Sequence, residues 1–270
     1  MLNLLNLLLQ ADRVKTIASR SLYGYLNHIL KNVAEVRFLN YGYVPEQSVW
    51  LPLEPADEPD RIHIQLYHAV VSAIDLMGKV VVEVSCGRGG GATFIKRYLK
   101  PRVMLGVDWS ARAIDFCRRH HRMEGLDFLC GDAQRLPFAK NSFDALINVE
   151  ASHNYQPFGR FLAEVRRVLK PGGYFLYADF RQADTDAAWQ DQLYRSGLEV
   201  VEEKDIRLDV LRGLEGNTAR NLDLVRKHSP RLLSSFFNKF AGVKGSMVFE
   251  DLRTGKLCYR RFVLRKPVEV

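Results

Sequence analysis

A chain of 270 residues with 47% hydrophobic and 26% charged side chains has the make-up of an ordinary globular protein, and it contains no apolar run near the roughly 20 residues that cross a bilayer. Cys86, Cys117, Cys130 and Cys258 are scattered without a Cys-x-x-Cys pair, which argues against a zinc site or disulfide framework and suits a reducing cytoplasm. The net charge of +8 favours an acidic partner, yet it fits a plain solvated basic surface equally well.

The opening residues 1–9 place Leu2, Leu5, Leu8 and Leu9 at helical spacing. They lack a basic leader and a small-residue cleavage site, so they read as an amphipathic helix rather than a signal peptide. A helical leader is predicted over 12–33, then an aromatic segment over 37–44, a proline- and acid-rich loop over 52–60 and a helix over 61–76. From 79 to 179, short β-branched runs alternate with longer amphipathic ones, the pattern of a parallel sheet with helices on both faces. Strands are predicted at 80–84, 103–108, 127–130, 145–149 and 174–178, and helices at 92–99, 111–121 and 158–169, with Pro171-Gly172-Gly173 ending the last helix. Beyond 179 come a helix at 187–196, a charged strand at 199–207, a helical stretch at 208–240 and a closing strand at 257–265. Together they predict one α/β domain with an antiparallel edge and a helical cap. Residues 1–60 would form a lid, 61–207 the core, 208–246 the cap and 247–270 the last strand.

The segment Glu83-Val84-Ser85-Cys86-Gly87-Arg88-Gly89-Gly90-Gly91-Ala92 follows a strand and opens a helix, where glycines admit close backbone approach and the helix start offers unpaired amides. Gly87-x-Gly89-x-x-Ala92 alone also fits a dinucleotide fingerprint, with Asp108 as the ribose acid. Glu83 separates the two readings: it would repel a pyrophosphate but could anchor the amino group of a zwitterionic amino acid. Asp108 and Asp132, after the second and third strands, can accept from ribose hydroxyls and from an adenine amino group.

With Phe143-Asp144-Ala145-Leu146 and Leu169-Lys170-Pro171-Gly172-Gly173, this series resembles the ordered motifs of class I S-adenosylmethionine methyltransferases over residues 80–178. The resemblance implies a Rossmann-like, mostly parallel seven-stranded sheet with an antiparallel last strand, and S-adenosylmethionine as cofactor, S-adenosylhomocysteine being the product. It places Glu83, Gly87 and Gly89 at the methionine end, Asp108 at the ribose, Asp132 and Ala133 at the adenine, and Ser85, Trp109, Asn148 and Tyr41 elsewhere around the bound cofactor. Ser85 stands where most of that superfamily has glycine. Yet Ser85 within its loop, Asn148-Val149-Glu150-Ala151-Ser152-His153, Phe38-Leu39-Asn40-Tyr41-Gly42-Tyr43 and Phe240-Ala241-Gly242-Val243-Lys244-Gly245-Ser246 are similar to the narrower phthiotriol/phenolphthiotriol dimycocerosate methyltransferase group, which acts on hydroxylated lipids and polyketides.

Transfer of a methyl group to an alcohol needs a base; transfer to a carboxylate needs little beyond positioning. After the fourth strand, His153 is the candidate base, since imidazole is the side chain that titrates near neutrality, and Glu150 would orient it or cap a turn. A structural role remains open for both. Phe38, Tyr41, Tyr43, Phe236, Phe237 and Phe240 suggest a bulky apolar small-molecule acceptor, though all but Tyr41 fit ordinary core as well. Arg207, Arg212, Arg220, Arg226, Lys227, Arg231 and Lys239 form either a solvated face or a dock for an acyl-carrier protein or acidic membrane. Against a nucleic-acid methyltransferase, the fourth strand ends in Asn148-Val149-Glu150-Ala151 rather than an Asn/Asp-Pro-Pro-aromatic group, and there is no Pro-Cys nucleophile. A cyclase using the cofactor without reaction, a non-catalytic cofactor-binding regulator and a NAD-dependent oxidoreductase are further rivals.

Overall fold

The computed structural model describes residues 24–25, 28–31, 33–47, 51–228 and 242–268. The helix expected over 1–9, most of the leader over 12–33, and Arg231, Phe236, Phe237, Lys239 and Phe240 lie outside the described residues.

Seven strands form one sheet: β1 (Val80–Val84), β2 (Val103–Asp108), β3 (Leu126–Cys130), β4 (Phe143–Val149), β5 (Leu169–Gln182), β6 (Glu199–Asp205) and β7 (Leu257–Arg265), in the order β3-β2-β1-β4-β5-β7-β6. The first five are mutually parallel, and β7 runs antiparallel between β5 and β6. After β3 the chain crosses back to the other side of β1. The carboxyl ends of β1 and β4 therefore meet where the strand order reverses, the place at which such sheets open a crevice.

Alternation within β1 divides two cores. Val81 joins the apolar cluster that takes in α1 (Arg61–Val71), α2 (Gly90–Leu99), α3 (Ala111–His120), α6 (Arg207–His228) and α7 (Met247–Thr254), whereas Val82 and Val84 join the cluster built with α4 (Phe158–Val168) and α5 (Ala183–Tyr194). Both faces are covered, so β1 can be nearly all valine.

Helix α4 stops at Val168, short of Pro171-Gly172-Gly173. Leu169 is already extended, pairing with Phe143, and the register shifts before Tyr174 pairs with Ala145. The Pro-Gly-Gly triplet is thus an irregularity inside β5 rather than a helix terminator, with Gly172 at φ +75°. Helix α1 ends at Val71, not 76, and the Asp75 carboxylate accepts from the Met77 amide to turn the chain towards β1. Between β6 and β7, α7 is capped by the Ser246 hydroxyl at its start and by Gly255, at φ +77°, at its end. Among the described residues no helix is long and apolar enough to cross a membrane.

Candidate active site

Three residues of the loop after β1 have positive φ: Ser85 at +59°, Gly87 at +52° and Gly89 at +77°. The side chain at Ser85 makes that conformation cost about 1–2 kcal/mol relative to glycine. Ser85 and Gly87 line a cleft at the carboxyl edge of the sheet together with Asp108, Trp109, Asp132, Ala133 and Glu150. Gly89 does different work. A Cβ there would lie 2.9 Å from Cys117 Sγ, His121 Cδ2 and Phe128 Cε1, so this glycine lets α2 and α3 close on the sheet. His121, the residue after α3, is buried in that contact; its Nε2 lies 2.7 Å from the Arg88 carbonyl, and burial drives its pKa down to about 4.

Asp108 is buried at the tip of β2, one carboxylate oxygen accepting from the Gly87 amide at 3.0 Å and the other from the Ser110 amide at 2.9 Å. Burial raises its pKa. One carboxylate therefore supports the glycine loop from below and keeps free lone pairs for a ligand in the cleft. Asp132 accepts from the Gln134 amide at 2.8 Å, which fixes its turn beside Ala133. Trp109 is 39% exposed at the rim.

Glu83, Asn148 and Tyr41 lie behind the cleft wall. Glu83 is buried, takes a 2.6 Å bond from the Tyr67 hydroxyl and leaves its second oxygen without a partner; burial pushes its pKa up to about 8. Tyr67, on α1, is the member of that pair that reaches the cleft. Asn148 donates from Nδ2 to the Val84 carbonyl at 2.8 Å and to the Tyr155 hydroxyl at 3.1 Å. The Tyr41 amide donates to both oxygens of Glu150, at 3.0 and 3.2 Å, and its ring leans on Phe180. Glu150 has φ +48° and also accepts from the Tyr259 hydroxyl at 2.7 Å, with its pKa lifted to about 8 by burial.

Glu150 is therefore spoken for, and the carboxylate that meets His153 is Asp179. Asp179 Oδ1 lies 2.8 Å from His153 Nδ1, while Oδ2 accepts from the His153 amide at 2.9 Å and from the Ser152 hydroxyl at 2.6 Å. Burial alone would raise the Asp179 pKa. The charges of His153 and Arg181 and these hydrogen bonds outweigh it and hold Asp179 well below the usual carboxylate range. The His153 ring stacks on Phe180 with centroids 4.3 Å apart, beside the cleft rather than in its lining. Asp179 lies one residue past the run predicted as strand five, inside the observed β5. Tyr155 follows the fourth strand and is marked by that position, whereas Tyr67 carries no comparable sequence signal.

Arg88 is buried to 1% exposure between the glycine loop and the leader. Its guanidinium donates to the carbonyls of Leu30, Val33 and Val36 and lies 3.5 Å above the Phe116 ring. The described cationic residues of α6 are similarly engaged: Arg207 with the Leu252 carbonyl, Arg212 with Asp209 and the Val44 carbonyl, Arg220 with Asp60, and Arg226 and Lys227 with Asp223.

A family described as a methyltransferase domain matches residues 82–177. The phthiotriol/phenolphthiotriol dimycocerosates methyltransferase of Mycobacterium tuberculosis is 46% identical over 232 residues, 86% of each chain. The fatty-acid O-methyltransferase of Mycolicibacterium smegmatis is 40% identical over 257 residues, 95% of this chain and 93% of its own. Among solved structures, the (4+2)-cyclase SpnF aligns with a TM-score of 0.67 at 22% identity, over 92% of this chain and 95% of its own. That likeness carries the fold alone, and the curated relatives decide the chemistry. The chain belongs to the class I S-adenosylmethionine-dependent methyltransferases, in the group of the phthiotriol/phenolphthiotriol dimycocerosates methyltransferases.

Proposed function

We propose that this enzyme transfers the methyl group of S-adenosylmethionine to an oxygen, a hydroxyl or a carboxylate, on a bulky lipid-like small molecule. The observation that carries the reading is the Asp179–His153 pair beside the cofactor cleft. The names of the relatives, a dimycocerosates and a fatty-acid methyltransferase, support the acceptor class.

The cleft suits the cofactor chemically. Asp108 and Asp132 line it, two carboxylates that would repel a pyrophosphate and tolerate a sulfonium with an amino group. In this reading Asp108 holds the ribose with Trp109 at its edge, and Asp132 and the Ala133 amide hold the adenine. Ser85 and Gly87 face the methionine end, while Glu83 acts through Tyr67, and Gly89, Asn148, Tyr41 and Glu150 support the walls. When bound, the cofactor supplies an electrophilic methyl group.

The chain's own groups handle the proton. Nδ1 of His153 faces Asp179, leaving Nε2 to take the proton of an acceptor hydroxyl, and Asp179 holds the ring's tautomer and stabilises the imidazolium that results. A carboxylate acceptor arrives without that proton, and the same site then needs only alignment.

The test is incubation with methyl-labelled cofactor and two acceptors, a long-chain secondary alcohol and a fatty acid. Label is expected in an ether or an ester. An Asp108→Ala variant is expected to bind S-adenosylmethionine at least tenfold more weakly; unchanged affinity would remove the cofactor assignment.

A further inference from the structure

Ser85 occupies a backbone conformation that favours glycine, and its hydroxyl has a use there. Its Oγ lies 2.5 Å from the Tyr155 hydroxyl, across the cleft floor between the loop after β1 and the loop after β4. Both residues line the cleft. The Tyr155 ring is held edge-on against Phe161 at 4.9 Å, and burial pushes its phenol pKa far up, so the hydroxyl keeps its proton at any working pH.

The hydrogens can be counted. The Val84 carbonyl has none to give, so the Asn148 group beside it is the amide nitrogen, and that nitrogen also donates to the Tyr155 oxygen. Ser85 and Tyr155 share one hydrogen bond, which consumes one of their two hydroxyl hydrogens. Whichever of the two donates to the other, one O–H remains for a further acceptor.

We propose that Ser85 and Tyr155 act as one cofactor-positioning pair, fixed by Asn148, whose remaining O–H donates to the carboxylate at the amino acid end of the bound methyl donor. This rests on the cofactor orientation proposed above and adds Tyr155 to it. The Ser85 hydroxyl thereby ties the cofactor loop to the acceptor-side loop, and the pair gives a reason for serine at a glycine-type position.

The experiment uses the full chain with Ser85→Gly, Ser85→Ala, Tyr155→Phe and the Ser85→Gly/Tyr155→Phe double variant. S-adenosylhomocysteine is titrated by calorimetry, and each ligand-free protein is melted. Each single variant is expected to raise the Kd about tenfold, the worth of one hydrogen bond to a charged group, and the double variant no further, because either change breaks the same unit. Ser85→Gly relieves the backbone and is expected to melt at or above the wild type, whereas Ser85→Ala keeps the strain and melts at or below it. Equal losses of affinity in these two would separate the hydroxyl's role from folding. Single variants within twofold of the wild type, a hundredfold loss in the double variant, or affinities that follow melting temperature would each overturn the proposal. Asp108→Ala is titrated alongside: if it too binds normally, the cofactor orientation itself is wrong, and if only the hydroxyl variants bind normally, the pair alone fails.

Discussion

Asp179 grips His153 at two points, Oδ1 on the ring Nδ1 at 2.8 Å and Oδ2 on the backbone amide at 2.9 Å. A carboxylate that holds both the ring and the backbone of one residue fixes where the imidazole sits and which nitrogen it presents. With a hydroxyl acceptor, His153→Ala is expected to lower kcat by about 10²–10⁴, the usual worth of a positioned base, and Asp179→Asn by about 10²-fold through loss of the tautomer. With a fatty acid, both variants are expected to stay within about tenfold of the wild type. Equal losses with the two acceptors would show that the pair shapes the site rather than moving a proton.

The strands were legible because their apolar residues follow the sheet's own periods: β2 at 103–108 and β7 at 257–265 lie where alternation puts them. Asp108 and Asp132 were legible as acids at strand tips. Asp179 was not singled out because the apolar run stops at Ala178, while β5 continues through Arg181 and Gln182 on its pairing with β7, a long-range contact that local composition does not reveal. Gly89 illustrates the converse limit. The motif assigns it to the ligand, and its neighbours show that it serves helix packing. Tyr67 stands 16 residues before Glu83 on another element, and Tyr155 stands 70 residues after Ser85, so their pairing belongs to the fold alone.

Gly91 tests the packing behind the cleft. It is helical, so an added methyl meets no backbone strain, but a Cβ would fall 2.1 Å from the Tyr67 ring. Gly91→Ala must push Tyr67 away from Glu83 or displace α2. The expected cost is about 1–3 kcal/mol of unfolding free energy, read by urea denaturation, together with weaker binding of S-adenosylhomocysteine. A variant as stable as the wild type would mean that Tyr67 moves freely.

The stability of the cofactor-free protein should fall between pH 6.5 and 8. Glu83 and Glu150 have folded-state pKa values near 8 against 4.5 for an ordinary glutamate, so the folded chain holds protons that the unfolded chain has lost, and stability declines as pH rises through that range. Below about 6.5 the buried His63 and His121 work in the opposite sense. Their folded values near 4 leave the unfolded chain with the extra protons, which offsets the glutamates between 4.5 and 6.5. Above 6.5 these histidines no longer oppose the glutamates, which contribute up to about 1.4 kcal/mol per pH unit each. Glu150→Gln is expected to roughly halve the slope measured by chemical denaturation at stepped pH. A flat or rising profile in wild type over that interval would contradict the burial of these two carboxyls.

Arg88 joins the cofactor loop to the end of the leader and the turn after it, because three carbonyls there, those of Leu30, Val33 and Val36, converge on one guanidinium. Arg88→Met keeps the apolar stem over Phe116 and removes every donor. Trypsin cleavage after Lys31 and Arg37 should then accelerate by an order of magnitude or more, while the global melting temperature shifts by only a few degrees, since the freed segment lies at the edge of the core. Arg88→Lys should not restore protection: an ammonium on an unbranched stem lacks the planar fork that serves three acceptors at once. Protection by lysine equal to that by arginine would reduce the contact to simple charge, and unchanged proteolysis in Arg88→Met would show that this guanidinium does not hold the segment.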